Sequence, residues 1–498
     1  MRLIIGGRLV ASKVTPGAVP GMSMRAVSHY ASAREIHAAA VSGAISCVEI
    51  TQIHLQRIDS LQPKVNAYAE VCAAPALAQA AALDAALARG VPPGPLFGIP
   101  FSVKDIINTA GVPTRWGSRM MRDNVPAEDA VAVARLKAAG AILLGKTATT
   151  EFAHSMLGRS PLTGITVNPW NAAYTSGGSS CGAAVAVACG MGALALATDA
   201  GASTRLPAAL NGIAGFKPTL GVIPHNQVPD GFGNFIHLGL MARDIDAIAR
   251  MLDVVSGAHD ADPHSLARPA TCALAALAAH QPLMGQRIGI LRKAGNSRLD
   301  PDAHRALEQA VRVFENLGAH LSEIDYKLEN PDVAWRALQQ MNWAARFAAK
   351  LEEIRPQIDA NYAQGIAEGA ALSGLDLQRA IQKRTDIFRA VQGWFRNLDF
   401  VLSPVASRGA LAADHGVLEP VEVGGEVVGD MRREWTPYLS LFDLSGHPAI
   451  ALPAGMDGNG VPFGIQLAGR WHADAVLLAA AADYERAAPW RGRVPLLQ

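Results

Sequence analysis

The stretch AAVAVACGMGALALATDAGAS, residues 183–203, constrains this chain more than any other, because Asp199 is its only charged residue. A segment with almost no polar face is stable only inside a sizeable core. Directly before it stands YTSGGSSCG, residues 174–182, dense in glycine and serine. Folding therefore sets a flexible, hydroxyl-rich knot at the mouth of a buried core. No run reaches the ~18 consecutive apolar residues that span a bilayer. Half of the 498 residues are hydrophobic, which favours a large, closely packed core in water.

Forty-four basic residues against 43 acidic ones give a net charge of +1. That balance offers no footprint for nucleic acid or an anionic membrane. The five cysteines, Cys47, Cys72, Cys181, Cys189 and Cys272, have no CxxC spacing and are odd in number. They suit reduced thiols in a cytoplasm better than a disulfide framework. Arg8 interrupts the apolar start too early for a signal peptide. Residues 1–23 are read as a disordered extension, with Met22 or Met24 as an alternative start.

Residues 28–90 read as helices, the first opened by Ser32 with Glu35 three positions on. FSVKDIINTAG reads as strand and turn, EDAVAVARLKAAG as helix and AILLGKT as a buried strand. Helices and short apolar strands alternate from 150 to 280, and QRIGILRKA is a strand before an amphipathic helix. The alternation predicts an α/β fold around a central sheet. Residues 331–398 form a helical block carrying Trp335, Trp343, Tyr362, Phe388 and Trp394. LDFVLSPVA, HPAIALPAG and GIQLAG read as strands, and 408–433 as an exposed loop or hairpin.

Three motifs mislead. GAILLGKT, residues 140–147, fits the phosphate-loop pattern, but its middle is apolar and a helix precedes it. GSSCG, residues 178–182, fits GxSxG, but a turn-like segment stands where a nucleophile elbow needs a strand. HDADPH, residues 259–264, reads as a polar loop and not as a metal site.

The chemistry on offer is nucleophilic. Ser179 and Ser180 follow a glycine pair, Ser203 follows Gly201 and Ala202, and Lys104 stands in the apolar GIPFSVKD. A serine needs a base, and a buried lysine can be one because desolvation keeps it neutral. Small residues before Ser203 can turn their N–H groups toward one point, as an oxyanion hole does. Knot, lysine and second serine thus make a Ser–Ser–Lys relay.

Residues 177–210 resemble the Gly/Ser-rich signature of the amidase signature family. The likeness extends through GIPFSVKDIINTAG, GAILLGKTATTEFA, VNPWN, GFKPTLG, MARDI, SGHPAIALPAG and PFGIQLAG, most of the chain from about residue 30. The resemblance implies Ser203 as nucleophile, Ser179 as bridging serine on a cis peptide after Gly178, and Lys104 as general base. It implies an oxyanion hole from the N–H groups of Ala200, Gly201, Ala202 and Ser203, and an α/β architecture of a large mixed, twisted sheet covered by helices in a single large domain over 24–498, with 331–398 capping the active-site mouth. Ser180 would hydrogen-bond near Lys104, and Asp199 with Arg205 would brace the loop. Cys181 stands where the motif usually has Gly, Ala202 where it often has Gly, and HNQVPDGFGNFIHL departs from the usual Ser-rich segment.

The implied reaction is cofactor-free and metal-free hydrolysis of a carbon–nitrogen bond, with an esterase side activity. Amides, anilides, carbamates or urethanes are the expected substrates. A second copy of the chain, as a homodimer, is the expected protein partner, with no nucleic acid and no membrane. Two other readings stay open. One is the glutamine-hydrolysing subunit of a multi-chain amidotransferase, and the other a nucleotide-binding protein using Gly140–Thr147.

Overall fold

The computed structural model describes residues 27–269, 271–279 and 283–497, so the extension expected over 1–23 lies outside the described residues. Among the described residues eleven strands form one mixed sheet. They are β1 Tyr68–Val71, β2 Pro100–Lys104, β3 Ile142–Thr147, β4 Leu194–Asp199, β5 Ala214–Lys217 and β6 His237–Ala242. The rest are β7 Arg287–Ile290, β8 His320–Glu323, β9 Phe400–Pro404, β10 Ala449–Met456 and β11 Pro462–Gly469. Their order across the sheet is β1-β3-β2-β4-β6-β5-β10-β11-β9-β7-β8. This is the mixed sheet and helical cover expected for an α/β chain.

The three strands that matter most are PFSVK, ILLGKT and LALATD, buried at every position. Such near-continuous runs suit strands covered on both faces. β2 lies parallel to both β3 and β4, while β4 pairs with β6 antiparallel. Because GAILLGKT contributes β3, it cannot wrap a phosphate. Lys146 is buried there, with Nζ donating to Ile107 O and Thr114 Oγ1, each at 2.6 Å.

The helix Cys181–Ala188 is buried at all eight positions. Its small side chains let it press on the sheet, where Ala183, Ala184 and Val187 meet Ala195, Ala197 and Met241. Gly182 makes the approach possible, since a Cβ there would stand 2.1 Å from Ala67 O and 2.5 Å from Ala148 N. The capping box at Ser32 is present, with the Glu35 N–H donating to Ser32 Oγ at 3.1 Å.

Two local readings need correction. The stretch 28–90 is not all helix: Tyr68–Val71 forms the edge strand β1, Tyr68 opposite Thr147 of β3. Nothing local marks those four residues as strand, and the exposed edge of β3 recruits them. The 408–433 segment does contain a hairpin, Glu422–Val423 with Glu426–Val427. Yet Val421, Val423 and Met431 are buried beside Leu411 and Trp435, so one side of it is core. The expected helical block is present as Asp332–Phe347, Ala360–Ala371 and Gly374–Trp394; short helical turns over 348–357 join the first two, and a two-residue turn joins the last two.

Candidate active site

β2 and β4 are parallel neighbours, so their C-terminal residues, Lys104 and Asp199, arrive at the same edge of the sheet. From Asp199 the chain turns through 200–204 into the helix Arg205–Leu210. The glycine-serine knot approaches from the other side, with a cis Gly178–Ser179 peptide, and enters the helix Cys181–Ala188. The Ser180 N–H donates to Ser203 O at 3.2 Å and ties the two loops together.

This packing brings the three predicted side chains into one line. Lys104 Nζ lies 2.6 Å from Ser179 Oγ, and Ser179 Oγ lies 2.8 Å from Ser203 Oγ. Lys104 and Ser179 are fully buried, whereas Ser203 faces a cavity. Burial pushes the Lys104 ammonium down to about 7, against the opposing pull of Cys181 and Asp199. Asp105, its neighbour in sequence, turns to the other side and lies 3.8 Å from Lys146. Lys104 also has a partner that sequence reasoning missed, Thr198 Oγ1 at 2.8 Å. Ser180 reaches Lys104 only through that threonine, its Oγ donating to Thr198 O at 3.4 Å.

Asp199 and Arg205 are brought together at the start of the loop. Arg205 Nε and Nη2 donate to the Asp199 carboxylate at 2.8 and 3.1 Å. Burial would raise the Asp199 carboxyl, but Arg205 outweighs it and the group sits below its usual range. Arg205 has three further partners that its own neighbourhood does not reveal, Asp443 Oδ2 at 2.5 Å, Gln466 Oε1 at 2.6 Å and Leu439 O at 3.0 Å. Burial pushes Asp443 up to about 8, against the charge of Arg205.

The four expected oxyanion donors divide into two pairs. Gly201 and Ser203 N–H donate to Asp199 Oδ1, at 3.3 and 2.8 Å. Ala200 and Ala202 N–H have no acceptor among the described residues. Trp335, from the helical block, holds the loop by donating from Nε1 to Ala200 O at 2.6 Å. The Arg432 guanidinium carbon lies 3.4 Å from the Trp335 ring centroid. Gly201 lies beneath this pair, where a Cβ would meet Arg432 Nη1 and Trp335 Nε1, each at 2.8 Å.

Ser203 opens into a cavity walled largely by apolar and aromatic side chains. Trp335, Trp343 and Tyr362 line it, so that part of the helical block caps the site. Phe388 and Trp394 lie elsewhere: Phe388 packs on His447 and Trp471, and Trp394 on Tyr326. Cys181 is a buried thiol 3.4 Å from Ala148 O, raised by burial and away from the cavity lining. In the HDADPH loop, Asp262 accepts the backbone N–H groups of His225 and His264 at 2.8 and 2.9 Å.

The amidase family model matches residues 49–478. The chain belongs to the amidase signature family. An acylamidase of Rhodococcus erythropolis is 32% identical over 94% of this chain and 97% of that protein. A glutamyl-tRNA(Gln) amidotransferase subunit of Roseiflexus castenholzii is 34% identical over 93% and 96%. Among solved amidase signature structures, a bacterial aryl acylamidase superposes with a TM-score of 0.86 at 28% identity, covering 93% of this chain and 99% of that one. The peptide amidase of Stenotrophomonas maltophilia gives 0.78 at 27%, covering 93% and 98%. No helix among the described residues is long and apolar enough to cross a membrane.

Proposed function

We propose that this chain hydrolyses carbon–nitrogen amide bonds through an acyl-enzyme on Ser203. The observation that carries this reading is the unbroken line from Lys104 Nζ through Ser179 Oγ to Ser203 Oγ, at 2.6 and 2.8 Å, ending at the cavity. Neutral Lys104 accepts the Ser179 proton as Ser179 accepts that of Ser203. Ser203 Oγ attacks the carbonyl carbon, and the oxyanion is held by the free Ala200 and Ala202 N–H groups. Gly201 and Ser203 N–H instead fix the loop on Asp199. The proton returns along the relay to the leaving nitrogen as the carbon–nitrogen bond breaks. Water, deprotonated by the same relay, then cleaves the acyl–Ser203 ester and restores the serine.

The aromatic wall from Trp116, Phe152, Trp335 and Trp343 suits a flat apolar group, and the acylamidase and aryl acylamidase relatives agree. The substrate we propose is therefore an aryl amide or aryl carbamate. A screen of anilides, aliphatic amides, carbamates and esters, with Ser203→Ala as blank, tests it. A serine-directed fluorophosphonate should label Ser203 when mapped by mass spectrometry; a label on Ser180 would point to a nucleophile elbow instead.

The many relatives that are glutamyl-tRNA(Gln) amidotransferase subunits keep a second reading in play. In that role the chain would release ammonia from glutamine only within a multi-chain assembly. Gel filtration and co-purification separate the two readings, because a free-standing amidase is active alone, as a monomer or homodimer.

A further inference from the structure

The cavity at Ser203 has an electrical character that amide hydrolysis by itself does not require. Among the described residues two guanidinium groups line it, Arg346 and Arg432, and no aspartate or glutamate does. Arg346 lies against the aromatic wall, its guanidinium 5.5 Å from the Trp116 ring, 6.0 Å from Phe152 and 5.0 Å from Phe347. It has no hydrogen bond or ion pair among the described residues. Arg432 is stacked on Trp335 and nearly buried, and its Nη groups have no acceptor among the described residues. Its one carboxylate within reach, Asp332, is 3.6 Å from Nε and is shared with Arg336 at 2.5 Å. Burial lowers the Arg432 guanidinium to about 10, still a cation at neutral pH. A buried cation with unused donors favours a ligand anion, since low dielectric strengthens their attraction and bidentate geometry suits a carboxylate.

We propose that the reaction chamber selects amides carrying a carboxylate substituent beside an apolar or aromatic body, with Arg346 and Arg432 as the specificity-determining residues. The inference rests on the chamber being the substrate site of the proposed hydrolase. Gln339 Oε1, a buried cavity-lining acceptor with no partner among the described residues, is left for the amide N–H or another donor of the substrate. Arg432 is fixed by its stacking on Trp335, so little side-chain freedom is lost on binding. Arg346 gains the same from its three aromatic neighbours.

The test uses two matched pairs. N-phenylsuccinamate is set against its neutral methyl ketone, N-phenyl-4-oxopentanamide, and 4-acetamidobenzoate against 4-acetamidoacetophenone. Kcat/KM is measured for each with wild type, Arg346→Gln and Arg432→Gln. The wild type should prefer the acid of at least one pair by roughly ten- to a hundred-fold, the usual worth of a charged hydrogen bond. At least one variant should collapse that ratio toward one. Equal rates for acid and ketone in wild type, or a ratio untouched in both folded variants, would overturn the inference while leaving amide hydrolysis standing. If wild type cleaves none of the four, the hydrolase reading is in question for such amides. Calorimetric binding of the same acids to Ser203→Ala then decides the anion site alone. Tighter binding of an acid than its ketone, lost on adding either arginine substitution, supports it; equal binding overturns it. Circular dichroism checks that each variant is folded, and Arg432→Lys keeps the charge should Arg432→Gln fail to fold.

Discussion

Lys104 Nζ and Ser179 Oγ lie 2.6 Å apart in a fully buried contact, and among the described residues no acidic side chain hydrogen-bonds the amine. An ordinary lysine stays protonated to a pH near ~10.4, but burial brings Lys104 down to about 7. A protonated amine cannot accept the serine proton. Kcat/KM should therefore fall as pH drops through about 7 and rise to a plateau above it. Lys104→Arg should not rescue the enzyme, because a guanidinium stays charged. Substantial activity in folded Lys104→Arg would remove lysine as the base.

Ser179 is the only link between Lys104 and Ser203 in the hydrogen-bonded line. Ser179→Ala should keep the fold and lose about 10²–10⁴-fold in kcat, the usual worth of a positioned proton transfer. Near-wild-type turnover in that variant would exclude the relay.

The Gly201 backbone passes directly under Trp335 and Arg432, so the position has no room for a methyl group. Gly201→Ala should push Trp335 off Ala200 O and misplace the oxyanion donors. Kcat should drop more than KM changes, with a shift in tryptophan fluorescence; unchanged kcat in a folded variant would show that the Trp335 contact is dispensable.

Trp343 and Trp394 belong to the same helical block but only Trp343 lines the cavity. Trp343→Ala should reorder aryl and small aliphatic amides in kcat/KM. Trp394→Ala should leave the order intact. A uniform loss in Trp343→Ala, accompanied by a lower Tm, would make that ring a core residue only.

Arg205 neutralises the fully buried Asp199 carboxylate and also hydrogen-bonds the buried Asp443 carboxyl. Arg205→Met would strand both carboxyls without their cation. Removing one partner of a buried pair typically costs ~3–5 kcal/mol. Urea denaturation should show a loss of that size, and a loss below about 1 kcal/mol would mean the cluster reorganises freely.

The sequence alone determined the local features. The apolar run AILLGKT reads as a buried strand, the stretch 183–203 as buried core, and Ser32 with Glu35 as the start of a helix. The knot at 174–182, Ser203 and Lys104 were legible for a similar reason: their chemistry is written in the residue types and their immediate neighbours. The rest depended on contacts between distant segments. Tyr68–Val71 became a strand because the edge of β3 was open to it. Thr198 met Lys104 because two parallel strands end side by side, and Ser180 lost that place for the same reason. Trp335, Arg432 and Asp443 reach the loop at 199–205 from far along the chain. Propensity and spacing act over a few residues, whereas these partnerships are fixed only when helices and strands pack. Packing alone decided which tryptophans face the cavity, which N–H groups remain free and which charges have no partner.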